Sequence, residues 1–329
     1  MRKSFLNKAL CLRIAIIGLV LVFLIVSGVI VLKEWEKNSG RFPEHELKDQ
    51  TISHNGIEYE LKQNVETFLV IGLDKFDGDT FSDSYNNNEQ ADFLMLFVFD
   101  NDARQCTAIH INRDTMAEIN RLGVAGDKIG TVYQQIALAH TYGNDDVSCR
   151  NTADSVSSVL MDVRVNHYIS VTMDAVPVVN DLVGGAELVI LDDFSSIDPA
   201  MVKDEMVRLT GEQALKYVRT RQGLEDSSNT TRMKRQQQFV QTVYDQFKLC
   251  SEADSEFIVN ASLKLADYMV SDRSVTQLQT LAEKFNDYEF LGIQSIKGES
   301  VLGDRYMEFY PDQAALKKLV INTFYCPKK

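Results

Sequence analysis

Apolar residues in this chain fall into three kinds of run, and each kind predicts a different element. Short runs apolar at nearly every position predict strands buried on both faces. Residues 66–73 form one, ending in Gly72-Leu73-Asp74. Residues 93–100 form a second, with Asp92 just before it, and residues 105–112 a third, which delivers Arg113-Asp114-Thr115. Residues 101–104 are a hairpin-length connection, so the last two strands are antiparallel neighbours. Residues 168–172, 187–191 and 289–296 read as further strands. Apolar positions at helical spacing predict helices over 131–142 (closed by Gly143), 151–160, 174–182, 230–249, 256–267 and 275–285. Thr210-Gly211-Glu212-Gln213 fits a capping box. It opens a helix that turns Ala214, Leu215 and Val218 inward and ends at Arg219. Residues 75–90 are a polar loop. Strands and helices alternate, which predicts an α/β fold: a mixed central sheet flanked by helices on both faces.

The third kind of run occurs once. Residues 14–32 carry no charge and have the length of one bilayer span. Arg2, Lys3, Lys8 and Arg13 precede it with no acidic residue, whereas Lys33, Glu34, Glu36 and Lys37 follow. The positive-inside rule then predicts a cytoplasmic tail (1–13), one N-terminal transmembrane helix (14–32) and everything later outside the membrane. A cleaved signal peptide is the alternative. The run is long for one, and no Ala-x-Ala site follows. Residues 33–60, with Gly40, Pro43 and Gly56, read as a linker, and 61–329 as an extracytoplasmic domain.

Charge narrows the function. The formal net charge is −13, and the basic residues before the apolar run leave the remainder more acidic still. That excludes a general nucleic-acid role. An anionic substrate is unwelcome on such a surface except where arginines or a metal invert the local field. The five cysteines (Cys11, Cys106, Cys149, Cys250 and Cys326) are too few for a disulfide scaffold, and their pairing is not readable from sequence.

Arg219, Arg221, Arg232, Lys234 and Arg235 form a cationic knot inside this acidic chain. Arginine is suited to gripping phosphate oxygens through a planar fork. On the 230–249 helix, Val240, Val243 and Phe247 form an apolar stripe that continues back through Gln236 to Arg232. The positive end of the helix dipole lies there, with Asn229, Thr230 or Thr231 available as a cap. A solvated basic face is the plainer reading of any charge run; sharing a stripe with the core favours a diphosphate site. Asp74 and Asp92, at strand ends in a chain with few histidines, suit a hard cation such as magnesium, which uses one or two carboxylates plus substrate phosphates. Singly, each is also an ordinary cap or turn residue.

These stretches resemble a known family. Leu69-Val70-Ile71-Gly72-Leu73-Asp74, Ala91-Asp92-Phe93-Leu94-Met95-Leu96, Ile111-Asn112-Arg113-Asp114-Thr115, the block from Leu209 to Arg221 and Arg232-Met233-Lys234-Arg235-Gln236-Gln237 are similar, in that order, to the LytR-CpsA-Psr cell-wall assembly proteins. The resemblance covers residues 66–245. It implies a single-pass protein of a bacterial, Gram-positive cell membrane. It implies a phosphotransferase that moves a glycopolymer from a polyprenyl-diphosphate lipid onto peptidoglycan through a phosphodiester. Teichoic acid, capsule and other wall polysaccharides all fit. By the same resemblance Asp74 and Asp92 hold magnesium, Arg113 is the essential arginine, and Arg219, Arg221, Arg232 and Gln236 bind the diphosphate. Three positions depart: Asn112 stands where the family usually has proline, Asn229 where aspartate is common, and Gln135 where lysine is frequent. Two other functions use the same residues: a diphosphate hydrolase, with water as acceptor, and a membrane-anchored binder of anionic polymer without catalysis. A metal pair beside an arginine argues against the pure binder.

Overall fold

The structure, a computed structural model, describes residues 51–74 and 90–328. The predicted tail, transmembrane helix and residues 75–89 of the polar loop lie outside the described residues. Among the described residues no helix is long and apolar enough to cross a membrane.

The described residues begin with two strands, β1 (Thr51–His54) and β2 (Ile57–Leu61), where a linker to residue 60 is expected. They pair antiparallel around Asn55-Gly56, both at positive φ (52° and 78°). Asn-Gly is the residue pair a two-residue hairpin turn requires. The strands are short and polar, so no apolar run marks them. The structural domain therefore starts at Thr51.

Next come β3 (Val65–Leu73), β4 (Ala91–Asp100) and β5 (Gln105–Ile111), close to their predicted bounds. The predicted 131–142 helix is absent. That stretch is divided between the hairpin of β6 (Met116–Leu122) and β7 (Lys128–Gln135), and a 3-10 turn over Ile136–Thr141. Thr131-Val132-Tyr133 explains the outcome, since β-branched and aromatic residues favour a pleated surface. The remaining elements are α1 (Asp146–Val159), β8 (His167–Thr172), α2 (Ala175–Leu182), β9 (Glu187–Val189), β10 (Met206–Arg208), α3 (Gly211–Arg219), α4 (Asn229–Ala253), α5 (Phe257–Leu265), β11 (Met269–Ser271), α6 (Val275–Phe285), β12 (Glu289–Ser295), β13 (Gly298–Leu302), β14 (Met307–Pro311), α7 (Gln313–Phe324) and β15 (Tyr325–Pro327). β15 pairs with β2 and ties the two ends of the domain together.

The central sheet has six strands in the order β11-β8-β3-β4-β5-β12. β3–β8 and β5–β12 are parallel and the other pairs antiparallel, so it is a mixed sheet. One face presents Leu69, Ile71, Leu94, Leu96, Ile109 and Ile111, all fully buried. On that face the Tyr168 hydroxyl donates to Asp146 of α1. The other face presents Phe68, Val70, Gly72, Phe93, Phe97 and Phe99 towards α4 and α6. Cys106, Cys149, Cys250 and Cys326 are free thiols. Burial pushes Cys106 up to about 12 and Cys149 up to about 11.

Candidate functional site

The site forms where β3, β4 and β5 end. Gly72 pairs with Phe93 but Leu73 with Ala91, which leaves Asp92 as the extra residue of a β-bulge. Bulges re-aim side chains and gather at functional sites. Here a side chain at Gly72 would meet Phe93 Cβ at 2.8 Å, so only glycine permits the approach. The bulged Asp92, 8% exposed, accepts from Arg113 through one oxygen and from Arg232 Nη1 at 3.1 Å through the other. Asp74, just past β3, accepts from Arg219 Nε at 2.8 Å and Nη2 at 3.3 Å, a forked pair.

Arg113 stands on a tight turn after β5. Thr115 donates to the Asn112 carbonyl through its N–H (3.0 Å) and hydroxyl (2.6 Å), and Asp114 N donates to Asn112 Oδ1 at 2.9 Å. Arg113 also donates to Gln90. Arg232 comes from the first turn of α4, capped by Ser228 rather than by the expected Asn229, Thr230 or Thr231. Arg219 closes α3, whose predicted capping box at Thr210 and Gln213 is present. Burial, and then the neighbouring guanidinium groups, hold both Arg113 and Arg232 down at about 10. Both stay charged at neutral pH. Burial raises Asp114 above its ordinary value, while Arg113, Arg232 and Arg221 pull it back. Four guanidinium groups (Arg113, Arg219, Arg221 and Arg232) thus meet three carboxylates (Asp74, Asp92 and Asp114), and a fourth carboxylate, Asp226, lines the adjoining cleft.

Not every candidate joins them. Gln236 lies one turn further along α4. Its amide donates to the Val218 carbonyl at 3.2 Å, and its buried Oε1 has no partner. It lines an apolar slot behind the arginines instead. Arg235, counted in the knot, is fully buried and turned away. It donates to Asp192, to the Tyr217 carbonyl (2.9 Å) and to the Thr220 carbonyl, with its guanidinium 5.3 Å from the Phe194 ring centre. Its task is to fix the end of α3, and so the positions of Arg219 and Arg221. Asn112 and Asn229, two of the departures, touch: Asn229 Nδ2 donates to Asn112 Oδ1 at 2.7 Å, and Asn229 Oδ1 accepts from Arg232 Nη2 at 2.7 Å. The third, Gln135, donates to Asp114 Oδ1 (3.1 Å) and to the Met307 carbonyl (2.7 Å). Gln90 has no signal in the sequence, because its loop shows only polarity.

Two kinds of space adjoin the cluster. A polar cleft of about 720 Å³ opens past Arg113, Asp114 and Arg221 to Gln135, Ser300 and Tyr306. An apolar slot of about 120 Å³, lined by Gln236, Val218, Phe239, Val240 and Val70, sits beside chain neighbours of Arg232, Arg219 and Asp92. Val70 also lines a groove of about 410 Å³ that continues to Tyr244, Phe247 and Phe285.

Among the described residues no three His, Cys, Asp or Glu side chains gather as a metal site. Asp74 and Asp92 would be the hard oxygen donors for a magnesium ion, and here all four of their carboxylate oxygens accept from Arg219, Arg113 and Arg232.

The fold and this site define a class: an α/β protein whose arginines and carboxylates converge at the ends of β3, β4 and β5, near an apolar slot and a polar cleft. The chain belongs to the LytR_cpsA_psr family, whose model matches residues 31–323. The polyisoprenyl-teichoic acid–peptidoglycan teichoic acid transferase TagU of Halalkalibacterium halodurans is 26% identical over 243 residues, 73% of each chain. The TagU protein of Enterococcus faecalis is 24% identical over 298 residues, 89% of this chain and 88% of that one. In fold the chain is similar to the crystal structure of B. subtilis TagV (TM-score 0.62, 22% identity, 80% of this chain and 97% of that one).

Proposed function

We propose that the protein is a membrane-anchored phosphotransferase that moves a teichoic-acid-type glycopolymer from a polyprenyl-diphosphate carrier lipid onto peptidoglycan through a phosphodiester. The observation that carries this reading is that one guanidinium cluster has both an apolar slot and a polar cleft close by. Those are the surfaces that the tail, diphosphate and sugar of such a lipid would need. The names of the TagU relatives support it.

A peptidoglycan hydroxyl oxygen attacks the phosphorus that bears the sugar. The P–O–P bond breaks, and polyprenyl monophosphate leaves with the bonding pair. The hydroxyl proton passes to a carboxylate; Asp114, raised by burial and lining the cleft, is placed for this. Little covalent work falls to the protein, so catalysis is positioning and charge neutralisation. Arg219, Arg221 and Arg232 hold diphosphate oxygens, and Arg113 stabilises charge on the phosphorus or the leaving phosphate. Gln236 supports the first prenyl unit in the slot. Magnesium, when bound by Asp74 and Asp92, would neutralise diphosphate charge.

Arg219→Ala tests the reading. Arg219 is half-exposed, so the melt stays near wild type, while transfer from a lipid-linked saccharide falls about 10²- to 10³-fold, as for a lost oxyanion donor. Undiminished transfer rejects the role. Release of the polymer to water with acceptor present makes the protein a hydrolase.

A further inference from the structure

Asn229, the first residue of α4, and Asn112, on the turn before Arg113, fix each other's orientation. Asp114 N donates to Asn112 Oδ1 at 2.9 Å, so Asn112 presents its oxygen. That oxygen takes a second donor, Asn229 Nδ2, at 2.7 Å. Asn229 must then turn Oδ1 the other way, where it accepts from both Arg232 Nε (3.1 Å) and Nη2 (2.7 Å). The two amides therefore join the turn that carries Arg113 to the helix end that carries Arg232. An amide oxygen takes both arms of the guanidinium fork, as one oxygen of a carboxylate could, but it adds no charge.

That neutrality matters because the charges here are already matched. Arg113, Arg219, Arg221 and Arg232 stand against Asp74, Asp92, Asp114 and Asp226. Asp92 alone serves two arginines, accepting from Arg113 and from Arg232 Nη1. Asp74 holds Arg219, and Asp114 lies 3.6 Å from Arg113 Nε. Asp226 is engaged at the start of α4, accepting from Ser228 N at 2.8 Å and from the Thr231 hydroxyl. A carboxylate at position 229 would be the fifth, pressed against the 3%-exposed Arg232, and would tip the site negative. We propose that Asn229, oriented by Asn112, is a positioning residue for the diphosphate: it aims Arg232 without neutralising it. The proposal deepens the transferase reading and rests on its diphosphate site.

Calorimetric titration of the full chain in detergent with inorganic diphosphate, beside ligand-free melts by circular dichroism, tests it. Asn229→Asp weakens inorganic diphosphate about tenfold or more, the scale of one like charge beside a bound phosphate. Asn229→Ala keeps the cation and loses only its aim, so it weakens diphosphate less. Asn229→Asp also sets two oxygens face to face at Asn112, which lowers the melt. Asn112→Ala removes the facing oxygen. Added to Asn112→Ala, Asn229→Asp therefore lowers the melt less than it does in wild type, yet still weakens diphosphate about tenfold. A merely structural role would move melt and affinity together. Four results overturn the proposal: a loss in Asn229→Asp no greater than in Asn229→Ala, a loss that vanishes in the Asn112→Ala background, equal melting losses in both backgrounds, or no diphosphate binding by wild type. Failure of the transferase reading is distinct: the variants bind diphosphate as stated, but wild type forms no phosphodiester to peptidoglycan.

Discussion

Asp92 is the side chain whose removal exposes the electrostatics of the site most clearly. It is 8% exposed and lies between Arg113 and the 3%-exposed Arg232. Asp92→Ala leaves two desolvated like charges facing each other. Breaking a buried pair from one side costs about 3–5 kcal/mol. For a domain of this size that lowers Tm by roughly 6–20 °C. The same variant should gain more from an anion than wild type does, because diphosphate then replaces the missing charge. Diphosphate at a hundredfold its Kd returns about 2.7 kcal/mol. Thermal melts by circular dichroism, with and without inorganic diphosphate and without magnesium, measure both effects. A variant that melts within a degree of wild type, or gains no more than wild type from diphosphate, refutes the placement of Asp92 between the two arginines.

Three further outcomes follow from the same structure. Val240→Trp fills the slot of about 120 Å³, so affinity for a prenyl diphosphate should fall while inorganic diphosphate binds as before; equal losses for both ligands contradict the slot as the tail site. Glu66, hydrogen-bonded to His167 and paired with Lys284, has its carboxyl lowered from 4.5 to about 2. Its contribution is therefore present above pH 4.5 and lost as pH falls towards 2, so Glu66→Gln should flatten the acid limb of a stability–pH curve in that window. Chelation of magnesium should depress transfer in wild type, and Asp74→Asn should weaken the response to added magnesium; transfer indifferent to chelation removes the metal from the account.

Much of the fold was readable from the chain, and the reasons differ by element. β3, β4 and β5 are buried on both faces, so their apolar runs are unbroken and their ends fall where expected. The capping box at Thr210 and the helix Val275–Phe285 follow from local chemistry alone. β1 and β2 are short, polar and largely exposed, β6 buries only Ala117 and Ile119, and β7 was hidden by residues whose apolar spacing also suits a helix. The list of charged residues was legible, but not their directions. Arg232 and Arg235 are one turn apart on α4 and equally cationic in sequence. One reaches Asp92 and the other Asp192, a choice made by strands and loops far away in the chain. Asn112 and Asn229 read as two separate departures until the fold brings them within hydrogen-bond distance.

The central claim is that Arg113, Arg219, Arg221 and Arg232 enclose one diphosphate whose lipid tail lies in the slot beside Val70 and Phe239. A crystal structure of the unit Thr51–Lys329 with geranylgeranyl diphosphate tests it most directly. The account predicts both phosphates within hydrogen-bond distance of Arg113 and Arg232, with the prenyl chain against Val240 and Val70. Phosphates bound on another surface, or a tail leaving through the polar cleft by Tyr306, would contradict it.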